Sequence, residues 1–168
     1  MTDVSRETRL WQFHIPAPLE FRAKKTTGEL YQAARWFNAN HHLTPRKRND
    51  LTQVWREAAL VRARQLKLPK DVADRVFIEA IIHPDSKRYY DAQNLYPTAK
   101  AIVDGLVTGN GKIRGYGLLA DDSNRHVVGP FCLPGKQRTV PGVTMRIHAI
   151  PRGTIYPDPY APYTELEL

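Results

Sequence analysis

The sequence predicts an α/β protein of the α+β kind, in which a small mixed β-sheet is flanked by helices. Two segments with helical periodicity alternate with short runs of β-branched and aromatic residues, an order typical of this class. The 168 residues, 42% of them hydrophobic, suffice for one compact domain and are few for two. We therefore expect a single domain over residues 1–168, with an N-terminal extension of about residues 1–8 and a proline-rich, acidic C-terminal tail of about residues 152–168.

The N-terminal half is predicted to form one strand and one long helix. Residues 10–15 alternate polar and apolar side chains and are followed by prolines, as at the end of a half-buried strand. Residues 19–43 give no clear pattern. Thr44 and Pro45 form a favourable helix start, because the hydroxyl can cap the helix and proline fits its first turn. The helix is predicted to end near residue 66. Its expected buried face carries Leu51, Val54, Trp55, Ala58 and Val61.

The C-terminal half is predicted to contain a buried strand, a second helix and two further strands. Residues 75–83 form a nearly continuous apolar run, which indicates a strand buried on both faces. Residues 95–106 carry apolar side chains at helical spacing, and a glycine-rich loop follows at residues 109–117. Two more strands are predicted around a Pro/Gly turn, at residues 125–133 and 143–150.

The chain is strongly basic, with 25 Lys and Arg against 17 Asp and Glu and a formal charge of +8. Such a balance favours a polyanionic partner, because each cation that neutralises a phosphate releases a bound counterion. Between residues 35 and 70 there are nine Lys or Arg and two acidic residues. We therefore expect a nucleic-acid-binding surface along the first helix and the glycine-rich loop. Its predicted residues are Arg46, Lys47, Arg48, Arg56, Arg62, Lys112 and Arg114.

Cysteine content and hydropathy restrict the cellular location and the types of metal site that the sequence allows. Cys132 is the single cysteine, which excludes an intrachain disulfide and a cysteine-based zinc site. The first residues lack the apolar core of a secretion signal, and no stretch approaches the ~20 apolar residues of a membrane span. We expect a soluble, cytoplasmic protein with no membrane partner.

Three aspartates are the strongest candidates for chemistry. Asp91 follows the buried strand, and Asp121 and Asp122 follow the second helix. Taken alone, each segment would be an ordinary turn or cap. Carboxylates from neighbouring elements are, however, the ligands that hold Mg²⁺ or Mn²⁺ against a phosphodiester, so together they favour a metal site. Asp104 is interpreted as a solvated helix residue or an i,i+4 partner of Lys100 rather than as a ligand.

Several segments together resemble the RusA family of Holliday-junction resolvases, in the form found among phages of actinobacteria. They are NANH at residues 38–41, with Asn38 and Asn40, WREAA at 55–59, DAQNLYPTAKAIVDGL at 91–106 and GLLADDS at 117–123. The resemblance implies a homodimer that makes paired nicks in branched DNA, such as a four-way junction, using Mg²⁺ or Mn²⁺. It also implies a bacterial cell or a phage-infected host cell as the setting.

The resemblance assigns roles to individual residues. Asp91 matches the first aspartate of the family's D-x-D-N motif, Asn94 its asparagine and Asp122 the later catalytic aspartate. Lys100 matches the functional lysine when the segment is aligned from the end of the helix. Gln93 stands where the motif has its second aspartate, and a neutral amide is a poorer Mg²⁺ ligand than a carboxylate.

Two other functions remain open from the sequence. One is a branched-DNA-binding protein without catalysis, which the glutamine at position 93 favours. The other is a basic RNA-binding module without chemistry, which the net charge alone would allow.

Overall fold

A computed structural model describes residues 9–86, 90–109 and 114–150 of the chain. It has a mixed α+β architecture, which confirms the predicted fold class. The described residues contain the strands β1 (Leu10–Pro16), β2 (Leu19–Ala23), β3 (Leu30–Ala34), β4 (Val76–His83), β5 (Val127–Pro134) and β6 (Gly142–Ala149). The two helices are α1 (Pro45–Gln65) and α2 (Tyr96–Leu106), the latter preceded by a 3₁₀ turn, Ala92–Leu95. The expected N-terminal extension, the C-terminal tail and Lys112 lie outside the described residues.

The main sheet is mixed, with the strand order β1-β6-β4-β5. β6 pairs antiparallel with both β1 and β4, whereas β4 and β5 are parallel. The two predicted C-terminal strands therefore do not form a hairpin around their Pro/Gly turn, because β4 lies between them. This central position suits β4, whose side chains are buried or half-buried on both faces. Among the described helices, none is long and apolar enough to cross a membrane.

Residues 19–34, which gave no pattern in the sequence, form a separate two-stranded sheet of β2 and β3. Most side chains of this hairpin are exposed, so neither strand needs the alternation of polar and apolar residues that reveals a half-buried strand. Its turn is closed by Lys24, which pairs with Glu29 at 2.6 Å, and by Gly28, which adopts a positive φ of 70°.

Helix α1 begins where the sequence predicts, since the Thr44 hydroxyl accepts a hydrogen bond from the Lys47 amide at 3.4 Å. The predicted buried face was partly wrong. Val61 is 41% exposed, whereas the residues that α1 buries are Trp55, Ala59, Leu60 and Ala63. Gly105 of α2 packs against this face of α1, where an added Cβ would lie 2.5 Å from the Arg56 carbonyl oxygen and 3.1 Å from the Ala59 Cβ. Small side chains are needed where the two helices approach so closely.

His14 of β1 and His83 of β4 meet at one end of the sheet, with ring centroids 5.6 Å apart. His83 Nδ1 lies 2.8 Å from the Lys136 carbonyl oxygen, so this nitrogen donates, and His83 Nε2 accepts from the Thr144 hydroxyl at 2.9 Å. The Thr144 oxygen can then accept from His14 Nδ1 at 3.2 Å. Burial, together with the positive charge of Arg138, lowers the pKa of both histidines. The hydrogen bonds and the lowered pKa values therefore both favour the neutral form of the two imidazole rings.

The histidine pair should make the folded protein less stable at acidic pH. Because both pKa values are lowered from 6.5 in the folded protein, the unfolded chain binds more protons as the pH falls below 6.5. The free energy of unfolding should be flat above about pH 6.5 and should decrease below it. Urea unfolding at pH values from about 5.5 to 8 measures this dependence. The double variant His14→Gln, His83→Gln should show a flatter profile, and an unchanged profile would contradict the assignment.

Candidate active site

Three charged side chains meet beside the C-terminal half of α2. The Lys100 ammonium contacts the carboxylates of both Asp104, one helical turn later, and Asp122, in the segment before β5. The predicted i,i+4 pair of Lys100 and Asp104 is thus present. All three side chains are half-buried. We call Lys100, Asp104 and Asp122 the charged triad.

Backbone pairing at the end of α2 brings Asp122 to the triad. The Leu118 amide donates to the Leu106 carbonyl at 2.8 Å, and the Thr108 amide donates to the Leu119 carbonyl at 2.9 Å. Leu118 and Leu119 are almost completely buried, which anchors the segment that leads to Asp122. The end of α2 and the start of the β5 segment are therefore held together by hydrogen bonds and by core packing.

The electrostatics of the charged triad are asymmetric. The hydrogen bond from Lys100 is the main cause that lowers the pKa of Asp122. Burial raises the pKa of Asp104 in spite of its bond with Lys100, and the nearby Asp122 carboxylate adds to this increase. Burial alone would lower the pKa of Lys100, but the two carboxylates raise it above its usual value. Two carboxylates therefore share one cation, and the cluster carries one excess negative charge when all three groups are ionised.

Asp121 supports the segment next to the triad. Its Oδ1 accepts a hydrogen bond from the Asp122 amide at 2.8 Å, and its side chain is exposed. Asp121, which the sequence predicts to be a metal ligand, thus stabilises the conformation of this turn. This is the ordinary role of an aspartate before a polar loop.

Asp91 caps the 3₁₀ turn that leads into α2. Its Oδ1 accepts from the Gln93 amide at 3.0 Å, and its carbonyl accepts from the Asn94 amide at 3.2 Å. The Asn94 carbonyl in turn accepts from the Ala39 amide at 2.7 Å, which holds the segment of Asn38 beside this turn. Asn38 uses its Oδ1 to accept from the Asn40 amide at 2.8 Å, so both asparagines stabilise a local turn.

Gln93, which stands where the resemblance to the RusA family predicts a second aspartate, is hydrogen-bonded to the sheet. Its Nε2 donates to the main-chain carbonyl of Cys132 in β5 at 2.8 Å. A carboxylate at this position could not donate that bond, because an ionised aspartate only accepts. The glutamine therefore has a structural role that an aspartate could not fill in the same way.

The predicted ligands do not form a single cluster in this structure. Among the described residues, no three His, Cys, Asp or Glu side chains are grouped closely enough to hold a metal ion. Asp91 caps the N-terminal side of α2, whereas Asp122 meets Asp104 near the other end, and Tyr96 and Asp104 are about 12 Å apart along the helix axis. Metal binding by Asp91, Asp121 and Asp122 stays a prediction.

The two carboxylates of the charged triad are nevertheless groups of the kind that bind a cation. Asp104 and Asp122 already place carboxylate oxygens around one positive charge, the Lys100 ammonium. Oxygen ligands of this kind are those that Mg²⁺ and Mn²⁺ prefer. The contact between Asp104 and Asp122 was missed in the sequence, where only the i,i+4 spacing to Lys100 drew attention to Asp104.

The predicted nucleic-acid-binding residues differ in solvent exposure and in their contacts within the protein, and therefore in their ability to contact a polyanion. Arg46, Lys47 and Arg48 are exposed in the first turn of α1, which contains no acidic residue. Cations there are unfavourable for the helix dipole, so an anion near this end would relieve a repulsion. Arg62 is instead engaged within the protein, because its Nε donates to the His14 carbonyl at 2.9 Å. Arg56 is half-buried, and Arg114 is exposed at the edge of the described loop.

Comparison with known proteins adds no relative. The chain matches no protein-family model, and no curated protein matches it. The function is therefore inferred from the residues of this chain.

Proposed function

We propose that this protein is a metal-dependent, structure-specific endonuclease that resolves four-way DNA junctions by paired phosphodiester nicks. The observation that carries the proposal is the charged triad, in which two carboxylates from separate elements share a single cation. The cluster is half-buried, carries an excess of negative charge and shifts the pKa values of both carboxylates, which is why it is the candidate functional site. The resemblance of residues 91–106 and 117–123 to the RusA family supports the same activity.

The proposed roles follow from the contacts. Asp122 and Asp104 would hold Mg²⁺ or Mn²⁺, with the adjacent Asp121 as a further ligand. The sequence also predicts Asp91 as a ligand, but Asp91 lies at the other end of α2 and could reach this ion only after a rearrangement of the 3₁₀ turn. The metal would activate a water molecule and neutralise charge on the phosphate that is attacked. Lys100 stays protonated because the carboxylates raise its pKa, so it can stabilise negative charge that develops on the phosphate.

The proposal includes a homodimer, since two opposed strands must be cut at a junction of roughly two-fold symmetry. In this arrangement each subunit presents one charged triad to one strand. The exposed basic turn of α1, with Arg46, Lys47 and Arg48, would bind the DNA backbone.

The basic turn gives a salt-dependence prediction. The triple variant Arg46→Ala, Lys47→Ala, Arg48→Ala should bind a junction more weakly, and the log-log slope of affinity against salt should decrease by about 0.9 for each phosphate that the variant no longer neutralises. Fluorescence anisotropy at several salt concentrations measures both quantities. Arg64→Ala, at an exposed position in the last turn of the same helix, is the control and should leave the slope unchanged. The same slope for the triple variant and the wild type would remove this turn from the DNA-binding surface.

A nicking assay tests the proposed activity. The protein is incubated with a synthetic four-way junction or a matched linear duplex, in Mg²⁺, Mn²⁺ or EDTA. Paired nicks in the junction that require the metal are expected, with the linear duplex left intact. Equal affinity for RNA and linear duplex, without nicking, would point to the basic RNA-binding module instead.

One observation favours a second candidate, a branched-DNA-binding protein without catalysis. Gln93 replaces a carboxylate, and its side-chain amide is committed to the Cys132 carbonyl. In the same assay this candidate predicts tight, junction-selective binding with no nicks in either metal.

A further inference from the structure

A cavity of about 290 Å³ lies between the β2–β3 hairpin, the segment before α1 and the turn after β4. Its lining includes the rings of Trp36 and Tyr90 and the polar side chains of Asn38 and Asp85. The volume is near the lower limit of small-molecule sites, so the cavity suits one planar heterocycle better than a larger ligand. Aromatic walls with a few polar groups are the usual composition of such sites.

Both aromatic rings are fixed before any ligand arrives. Trp36 stacks on Trp55 with a centroid distance of 5.4 Å, and Trp55 is fully buried. The Tyr90 hydroxyl lies 2.9 Å from the Ile82 carbonyl oxygen, to which it donates, and accepts from the Gly135 amide at 3.0 Å. Burial raises the pKa of Tyr90, so its phenol stays neutral. A ring that binds here therefore contacts aromatic side chains that are already held in place, so little conformational entropy is lost on binding.

The polar groups indicate which kind of ring fits. Asp85 makes one long contact, 3.4 Å from its Oδ2 to the Ala34 amide, and its exposed carboxylate keeps further acceptor capacity. A carboxylate accepts hydrogen bonds from the exocyclic amino group of a nucleobase, as acidic side chains do with cytosine N4. Thymine has no such amino group. Asn38 adds an amide beside it.

We propose that this cavity receives one unpaired, amino-bearing nucleobase of the branched DNA, stacked on Trp36 and Tyr90, with its amino group donating to Asp85. The inference rests on the proposed function and deepens it, because it assigns a site for a base at the branch point. Tyr90 directly precedes Asp91 in the chain, so their Cα atoms are about 3.8 Å apart. A base held by Tyr90 would therefore lie near Asp91, one of the residues that the sequence predicts to be catalytic, and away from the charged triad at the other end of α2.

Binding in EDTA tests the cavity without cleavage. The probes are four-way junctions with one extrahelical nucleotide at the branch point, which is adenine, thymine or an abasic analogue. Wild-type protein should bind the adenine probe about 10-fold more tightly than the abasic probe, an effect typical of base stacking on aromatic side chains. It should also prefer adenine over thymine.

Two exposed positions of the lining allow variants that leave Trp36 and Tyr90 in place. Ser86→Trp should fill the cavity and bring the adenine-to-abasic ratio near one. Asp85→Asn should keep the preference for a base over the abasic site but lose the preference for adenine over thymine. Glu57→Gln, which removes a negative charge from the exposed surface of α1, is the control and should keep both preferences.

The outcomes separate this inference from the nuclease proposal. A wild-type ratio near one, or a ratio that persists in Ser86→Trp, overturns the base site even when metal-dependent nicking is intact. Base-dependent binding without nicking supports the site and overturns the nuclease. Failure to bind any junction overturns both.

Discussion

Replacing Asp122 by asparagine is expected to lower metal-dependent nicking of a four-way junction at least about 100-fold, which corresponds to a loss of about 3 kcal/mol of transition-state stabilisation. The substitution removes a proposed metal ligand and the partner whose hydrogen bond with Lys100 orients the ammonium. Junction binding should be unchanged or tighter, because one negative charge near the DNA phosphates is removed. Single-turnover nicking and anisotropy in EDTA measure the two effects separately.

Companion variants locate the effect within the site. Asp91→Asn is expected to abolish nicking in the same way, since Asp91 is the other predicted catalytic carboxylate. The sequence alone predicts a smaller effect for Asp104→Asn, but its place in the charged triad predicts a loss as large as that of Asp122→Asn, and we expect the larger loss. Glu57→Gln is the control for loss of one acidic charge. Wild-type nicking rates for both Asp91→Asn and Asp122→Asn would refute the proposed active site.

Replacing Trp55 by alanine should destabilise the folded state by about 3–5 kcal/mol. Trp55 is fully buried at the centre of the core face of α1, and its ring stacks on Trp36. Its Nε1 also donates to the Arg35 carbonyl at 2.7 Å. The variant leaves a cavity and an unpaired main-chain acceptor at once. Urea unfolding monitored by circular dichroism gives the change in free energy of unfolding.

Two milder variants separate packing from hydrogen bonding. Trp55→Phe keeps most of the buried ring but loses the bond to Arg35, so a smaller loss of about 1–3 kcal/mol is expected. Val61→Ala, at a 41% exposed position of the same helix, should change stability by less than about 0.5 kcal/mol. Equal losses for Trp55→Ala and Val61→Ala would contradict the buried face described for α1.

Local signals in the sequence were sufficient for most of the fold. The start of α1 at Pro45 followed from a threonine cap and a proline, and both features act within one helical turn. β4 and α2 followed from runs whose periodicity is visible without knowledge of their neighbours. The hairpin of β2 and β3 was missed because its side chains are largely exposed and carry no alternating pattern.

The candidate site was only partly visible. The sequence predicted site roles for Asp91, Lys100 and Asp122, and it showed the i,i+4 spacing between Lys100 and Asp104. It did not show that Asp104 and Asp122 share the Lys100 ammonium. It also did not show that Asp91 caps the turn at the N-terminal end of α2, away from these residues. Distances along the chain do not give distances in space when a helix and a loop separate the residues.

The class of fold, the positions of α1 and α2 and the excess of positive charge could be predicted from the amino-acid sequence, because periodicity, capping and composition are properties of short segments or of the whole chain. The strand order, the buried face of α1 and the contact of Lys100 with Asp122, which lies 22 residues later in the chain, became visible only in the folded protein. The two helices approach closely at Gly105, next to Arg56 and Ala59 of α1, and the pairing of Leu118 and Leu119 with the end of α2 brings Asp122 to Lys100. Such contacts depend on surfaces that exist only once distant segments have packed together.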